Sequence, residues 1–318
     1  MRNLAVTALA LSLPAFGAQE PVQKPAASQS APEATSLFGK PLHAPVLDPT
    51  AVAEREARLA KARAAFDKNP KDADAILWLG RRFSYAGKYR ASISAFTSGL
   101  QLYPDDVRLL RFRGHRYVNT RQFDLALADL EAAACKIEGK PDEVEPNETE
   151  NDPKHPPSTL HYGVWYHLGL ARLFSGNDEG ARAAFASCLA AANDDEGRAG
   201  ASHWLYTVLR RIGRPDDAKK VLEPIRADMK VIEGAAYHRM LLSAKGEIPV
   251  DDLLRDALAK EGSTDLPTIG YGVACRLRAD GDVARANDLL KQVARHGLWP
   301  AFGTIGAEVD LRALGMEP

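Results

Sequence analysis

Residues 73–106 read "ADAILWLGRRFSYAGKYRASISAFTSGLQLYPDD". Their apolar positions recur at helical spacing twice, once on each side of Gly87. Ile76, Leu79, Gly80 and Phe83 share one face of a first helix, and Ile93, Phe96, Gly99 and Leu100 share one face of a second. Gly80 and Gly99 let the two helices approach closely, and Phe83, Tyr89 and Phe96 fill the space around that contact. Pro104 ends the second helix, because proline lacks the N–H that the helix needs. The pattern then returns: Pro70 to Pro104 and Gly80 to Gly114 each span 34 positions. A unit of that length cannot bury its apolar face alone and must stack on copies of itself.

Working outward, residues 107–138 keep Leu110, Gly114, Tyr117, Phe123, Ala126 and Ala133 in the same register, with Arg113 where an apolar residue is usual. The run "HYGVWYHLGLARLFSGN" at 161–177, dense in histidine and aromatic residues, falls into it as well. Gly169 takes the close-contact role, Trp165 and Leu168 lie on the packing face, and Gly176, Ala181, Phe185 and Cys188 follow. Trp165 therefore reads as a packing residue. A fourth unit is carried by Leu205, Leu209, Gly213, Ala218 and Leu222, with Tyr206 in the glycine role, and a sixth by Leu277, Gly281, Ala286 and Leu290. Between them, "AYHRMLLSAKGE" at 236–247 is the faintest unit.

These positions resemble the tetratricopeptide repeat (TPR) family, over roughly residues 50 to 295. The resemblance implies an all-α protein, a right-handed superhelical solenoid of antiparallel helix pairs whose first helices line a concave groove. It also implies which positions face a ligand: Arg81 and Tyr85 in the first unit, Arg108, Arg111, His115 and Asn119 in the second, Tyr166 in the third, and His203 and Arg210 in the fourth. Independently of the family, Arg108, Arg111 and His115 fall at i, i+3 and i+7, a cationic stripe opposite the packing face of Leu110, Gly114 and Tyr117. Arginines beside Tyr166 and His203 suit the carboxylates and planar groups of an extended peptide. The family's carboxylate clamp uses lysine and asparagine, and here Arg111 and His115 stand in two of those places, which argues against a free peptide C-terminus as ligand. On this register Arg111→Glu is expected to lose binding without losing the fold.

The rest of the chain frames this array. Residues 1–18, "MRNLAVTALALSLPAFGA", place one positive charge before a short apolar run and small residues, the pattern of an export signal, so the chain is expected to be periplasmic or secreted. Residues 19–49 recur in proline and read as a tether. Repeats are expected over 50–137 and 159–297, separated by an acidic, proline-rich insertion at 138–158 that either is a tolerated surface excursion or folds back on the groove. Residues 298–318 are expected to cap the last exposed apolar face, and the helix before residue 70 to supply half a repeat at the other end.

Composition narrows the functions. A net charge of −1 provides no global field toward nucleic acid or anionic lipid, and no apolar run is long enough to span a membrane. Cys135, Cys188 and Cys275 show no paired spacing and read as small buried thiols. The histidines lack ligand spacing, and no nucleophile elbow or phosphate loop is present, so neither a metal, a cofactor nor catalysis is expected. The reading is an exported, non-catalytic scaffold for a protein or peptide partner. The alternatives are a groove for a small anionic or glycan ligand of the envelope, and an enzyme or metalloprotein built on the His and Tyr cluster.

Overall fold

The computed structural model describes residues 31–45, 49–145, 158–260 and 263–318. The expected signal segment 1–18, the first part of the tether and residues 146–157 of the insertion lie outside the described residues. Within them, a lone helix α1 (Pro49–Lys68) precedes six antiparallel pairs. The pairs are α2 (Ala73–Tyr85) with α3 (Tyr89–Leu102), α4 (Val107–Asn119) with α5 (Phe123–Ile137), and α6 (Leu160–Phe174) with α7 (Asp178–Ala191). They continue as α8 (Asp195–Arg211) with α9 (Pro215–Leu222), α10 (Ala235–Ala244) with α11 (Val250–Ala259), and α12 (Asp265–Ala279) with α13 (Val283–Ala294). A last helix, α14 (Phe302–Ala313), follows. Each pair packs on the next, so the molecule is an all-α solenoid, and the faint fifth unit is a real one.

Local chemistry repeats with the units. Asp72, Asp106, Thr159 and Asp194 cap the first helices of the first four pairs, each side chain accepting a backbone N–H of the opening turn. Every first helix ends on a residue in the left-handed region: Gly87, Gly176, Gly213, Gly246 and Gly281 in five pairs, and Arg121 (φ 62°) in the second. Glycine adopts this conformation without a Cβ clash, whereas arginine does so at a cost. At Gly80 a Cβ would lie 2.3 Å from the Phe96 ring, and at Gly169 it would lie 2.6 Å from the Phe185 ring. Ring into backbone is thus the joint inside each pair. Phe96, Leu130, Leu168, Phe185 and Trp204 are fully buried along the resulting continuous core, and Trp165 packs against it partly buried.

Both ends of the array depart from expectation. Residues 32–45, expected within a tether, instead carry a two-stranded antiparallel hairpin, β1 (Ala34–Thr35) against β2 (Pro41–Leu42). Leu42 packs with Tyr89 and Trp299, and the Trp299 indole donates to the carbonyl of His43 at 2.6 Å. The prolines do not prevent this, because a ribbon so short leaves most backbone N–H groups outside the ladder.

Helix α14 packs on α12 and α13, but it also reaches α6. The segment entering it crosses the inner side of the second pair. Asn119 Nδ2 donates to Pro300 O at 2.9 Å, and the Arg121 guanidinium meets the Glu308 carboxylate at 2.7 Å with both side chains almost wholly buried. Arg121 also donates to Trp299 O, and Glu308 accepts the backbone N–H of Leu37. At the far end Arg211 of α8 bridges Asp310 and Asp178. Residues 298–318 therefore close the inner face as well as the last pair.

Candidate functional site

The first helices α2, α4, α6 and α8 do bring the predicted positions to one side, but most of those positions are covered. Arg81 is buried, its guanidinium between the rings of Trp78 (4.3 Å) and Phe112 (4.7 Å), and it donates to the Tyr85 hydroxyl at 3.3 Å. Tyr85 is half-buried, its carbonyl taken by Arg55. Arg108 stays accessible and is held by Asp106 and by Asp74 of the preceding unit at 2.8 and 2.7 Å, contacts that raise its pKa.

Arg111 is not a ligand-facing side chain. It lies flat on Phe112 (4.1 Å), against the backbone of Gly163 on α6, and 3.5 Å from the buried carboxylate of Glu145. Burial pulls its pKa down, and only Glu145 offsets this with an opposing charge of note. Glu145 belongs to the stem of the insertion, where Val144 pairs with Thr159 in an antiparallel bridge and the Glu145 N–H donates to Ser158 O. The stem therefore turns its carboxylate inward.

His115 packs on His167 with ring centroids 3.9 Å apart, and Phe302 closes over both. Burial and the neighbouring arginines push the two imidazoles well below the usual histidine range, so both are neutral. His167 Nδ1 lies 2.7 Å from Gly163 O, which can only accept, so that nitrogen carries the proton. His203 is buried beside Tyr237, and desolvation lowers its pKa to about 3. Asn119 is spent on Pro300. Arg210 pairs with Asp280 and donates to Tyr206. The expected cationic groove is thus a packed seam, with Arg108 and Arg210 its accessible charges. The C-terminal run closes part of it, Pro300 standing against Asn119 and Phe302 against His115 and His167, while Trp78 and Phe112 cover Arg81 and the insertion stem's Glu145 meets Arg111.

Tyr166 marks where the inner face remains open. It donates to the Tyr237 hydroxyl at 3.0 Å, accepts from the Trp204 indole at 2.8 Å and stacks on Tyr162 (5.7 Å). These three phenols line a cavity of about 350 Å³ between α6, α8 and residues 233–237. Burial raises the pKa of all three, so they remain protonated donors. A Cβ on Gly200 would stand 2.7 Å from the Tyr162 hydroxyl, so this glycine makes room for that phenol at the cavity floor. At the rim Asp194 caps Gly197, and Glu196 accepts the backbone N–H groups of Ile232 and Gly234. A second cavity, of about 510 Å³, lies between α1 and α2 around Trp78.

Among the described residues no group of three or more His, Cys, Asp or Glu side chains is placed to hold a metal ion. Cys188 and Cys275 are buried free thiols; Cys135, expected to be buried, is exposed on α5. The sequence reading did not single out Arg116, Arg121, Glu145, Trp299, Phe302 or Glu308, whose contacts cover the inner face. One of these was visible: arginine at 121, where neighbouring units carry glycine.

No family model matches the chain, and no curated protein matches it significantly. Among 41 solved chains with detectable likeness is a tetratricopeptide repeat protein from Parabacteroides merdae (15% identity, 80% of this chain and 93% of that one, TM-score 0.45). Others are a thermophilic TPR protein of Thermus thermophilus (20% identity, 61% and 93%, TM-score 0.42) and YrrB, described as a TPR protein with an unusual peptide-binding site (12% identity, 80% and 98%, TM-score 0.42). The chain's own repeat, with ring-into-glycine joints and left-handed turn residues, makes it an all-α solenoid of stacked helix pairs.

Proposed function

We propose that this chain is an exported, non-catalytic scaffold that holds an extended segment of a protein partner, with the tyrosine cavity between α6 and α8 as its anchor on the inner face. The observation that carries this reading is that cavity: three protonated phenols around a glycine floor, open where the rest of the seam is filled. A concave pocket in which three phenols stand among hydroxyls, an amide and carboxylates suits one polar or cationic side chain of a bound segment, and its volume lies in the range of ordinary ligand sites. Export rests on residues 1–18, and mass spectrometry of the mature chain from its native envelope tests it; an N-terminus still at Met1 would overturn it.

The test of the anchor is a peptide library titrated against the full chain, Gly200→Val and Tyr162→Phe. Binding that weakens in both supports the anchor, and binding indifferent to both removes it. A small glycan is the second reading, favoured by phenols beside the carboxylates of Asp194 and Glu196; those same carboxylates argue against an anionic ligand. A glycan that stabilises the chain saturably, where peptides do not, would select it.

A further inference from the structure

We infer that the cleft between α1 and α2 docks an acidic segment of a partner protein that carries one bulky apolar side chain between its carboxylates. This rests on the scaffold reading and adds a second contact surface with its own chemistry. Helix α1 is half a repeat, with no helix before it among the described residues to cover its outer face. Toward α2 it presents Ala62 and Ala65 at i and i+3, side chains too small to fill the space, and across from them stand Ala75 and half-buried Trp78. A cavity of about 510 Å³ results, with an apolar floor large enough for a leucine or an aromatic ring.

Its border is cationic. Arg58, Lys61 and Lys68 follow one another along α1, and Arg82 stands opposite on α2 with its guanidinium 4.8 Å from the Trp78 ring centroid. Two carboxylates also line the cleft, of which Asp74 is neutralised by an arginine outside it and Asp72 keeps its charge against the four cations. Asp72 accepts the N–H of Ala75 at 2.7 Å as the cap of α2, and Asp74 is paired with Arg108 at 2.7 Å. Lys61 and Lys68 are exposed on either side of the alanine floor. The chain as a whole has a net charge of −1, so this concentration of positive charge is local and selects an oppositely charged partner.

The probe is a short fluorescein-labelled peptide of aspartates and glutamates flanking a leucine, with a second peptide in which lysines replace the acids. Polarisation is followed with the full chain at rising salt. The acidic peptide should bind and weaken with salt, and the basic one should not bind. Lys61→Glu with Lys68→Glu should weaken binding roughly tenfold, since two exposed attractions become repulsions. Ala65→Trp, an exposed substitution that fills the cleft, should weaken it likewise, while Tyr162→Phe at the other cavity should leave it unchanged. Circular dichroism of each variant checks that the helices persist.

Absence of acidic-peptide binding, or equal binding by the charge-reversed chain, overturns the inference. So does a concentration-dependent dimer in sedimentation that the charge reversal abolishes, which would make a second copy the occupant. If the cleft variants are silent but library peptides still depend on Gly200 and Tyr162, the cleft fails and the scaffold reading stands. If no peptide binds at either place, both fail.

Discussion

Replacing Arg121 by glycine sets two physical effects against each other. Arg121 occupies the left-handed turn position that glycine holds in the other five pairs, at φ 62°. Glycine there relieves about 1 kcal/mol of backbone cost. By turn chemistry alone Arg121→Gly stabilises. The same side chain, however, holds Glu308 through Nε and Nη2 at 3.2 and 2.7 Å, with 2% and 5% of the two side chains exposed, and donates to the Trp299 carbonyl. Removing one partner of a buried pair strands the other charge, at a cost of about 3–5 kcal/mol. The expected net effect is destabilisation by about 2–4 kcal/mol, the difference between those two figures. Urea denaturation of the wild type, Arg121→Gly, Glu308→Ala and the double variant measures it. Glu308→Ala alone should cost at least as much as Arg121→Gly, because it strands the arginine and keeps the strained turn. The double variant should be less destabilised than the two singles summed. An Arg121→Gly chain as stable as the wild type, or more so, would refute the claim that α14 is pinned to the second pair by this ion pair.

Other expectations follow from the same packing. Arg111→Glu sets a second carboxylate against buried Glu145 and should destabilise by at least about 3 kcal/mol, so a chain with unchanged urea midpoint would return Arg111 to the solvent. Acid should weaken the fold: unfolded His203 binds a proton as pH falls through 6.5, while the folded imidazole resists until about 3. Its contribution is full well above 6.5 and about 1.4 kcal/mol of it is lost between pH 7.5 and 5.5, with His115 and His167 acting in the same direction. A flat stability profile over that range, or one unchanged by His203→Gln, would contradict the buried neutral assignment. Phe96→Ala empties the joint against Gly80 and should cost about 3–5 kcal/mol in chemical denaturation; under 1 kcal/mol would mean the pair is not joined there. Tyr166→Phe removes the acceptor of the Trp204 indole and should cost about 1–3 kcal/mol, with a shift in tryptophan emission as its optical check.

The pairs themselves were legible because their cause is local and periodic. Gly80, Phe96, Gly169 and Phe185 recur at fixed offsets, and a ring entering the space above a glycine needs only the two helices of one unit. Caps such as Asp72 and Asp194 are equally local. The faint fifth unit forms because its neighbours on both sides supply the apolar surface that its own pattern only weakly demands.

The groove was not legible in the same way. Arg81, Arg111, His115, Asn119 and His203 do lie on the first helices, as their register requires, yet their exposure depends on what stands opposite. Pro300 stands against Asn119 and Phe302 against His115, some 180 residues away in sequence, Glu145 of the insertion stem meets Arg111, and no periodicity links any of these pairs. The arginine at 121 was a visible exception within the glycine series, but its partner Glu308 sits in a helix that an apolar pattern alone describes as a cap. By itself, then, the sequence determined the helix pairs, their joints and their order, all of which act within a unit or between neighbours. Only the tertiary structure decided that the hairpin segment ending at His43 meets Trp299 and that α14 packs across the inner face. Closure depends on contacts between distant segments whose free energy appears only when the whole array has brought them together.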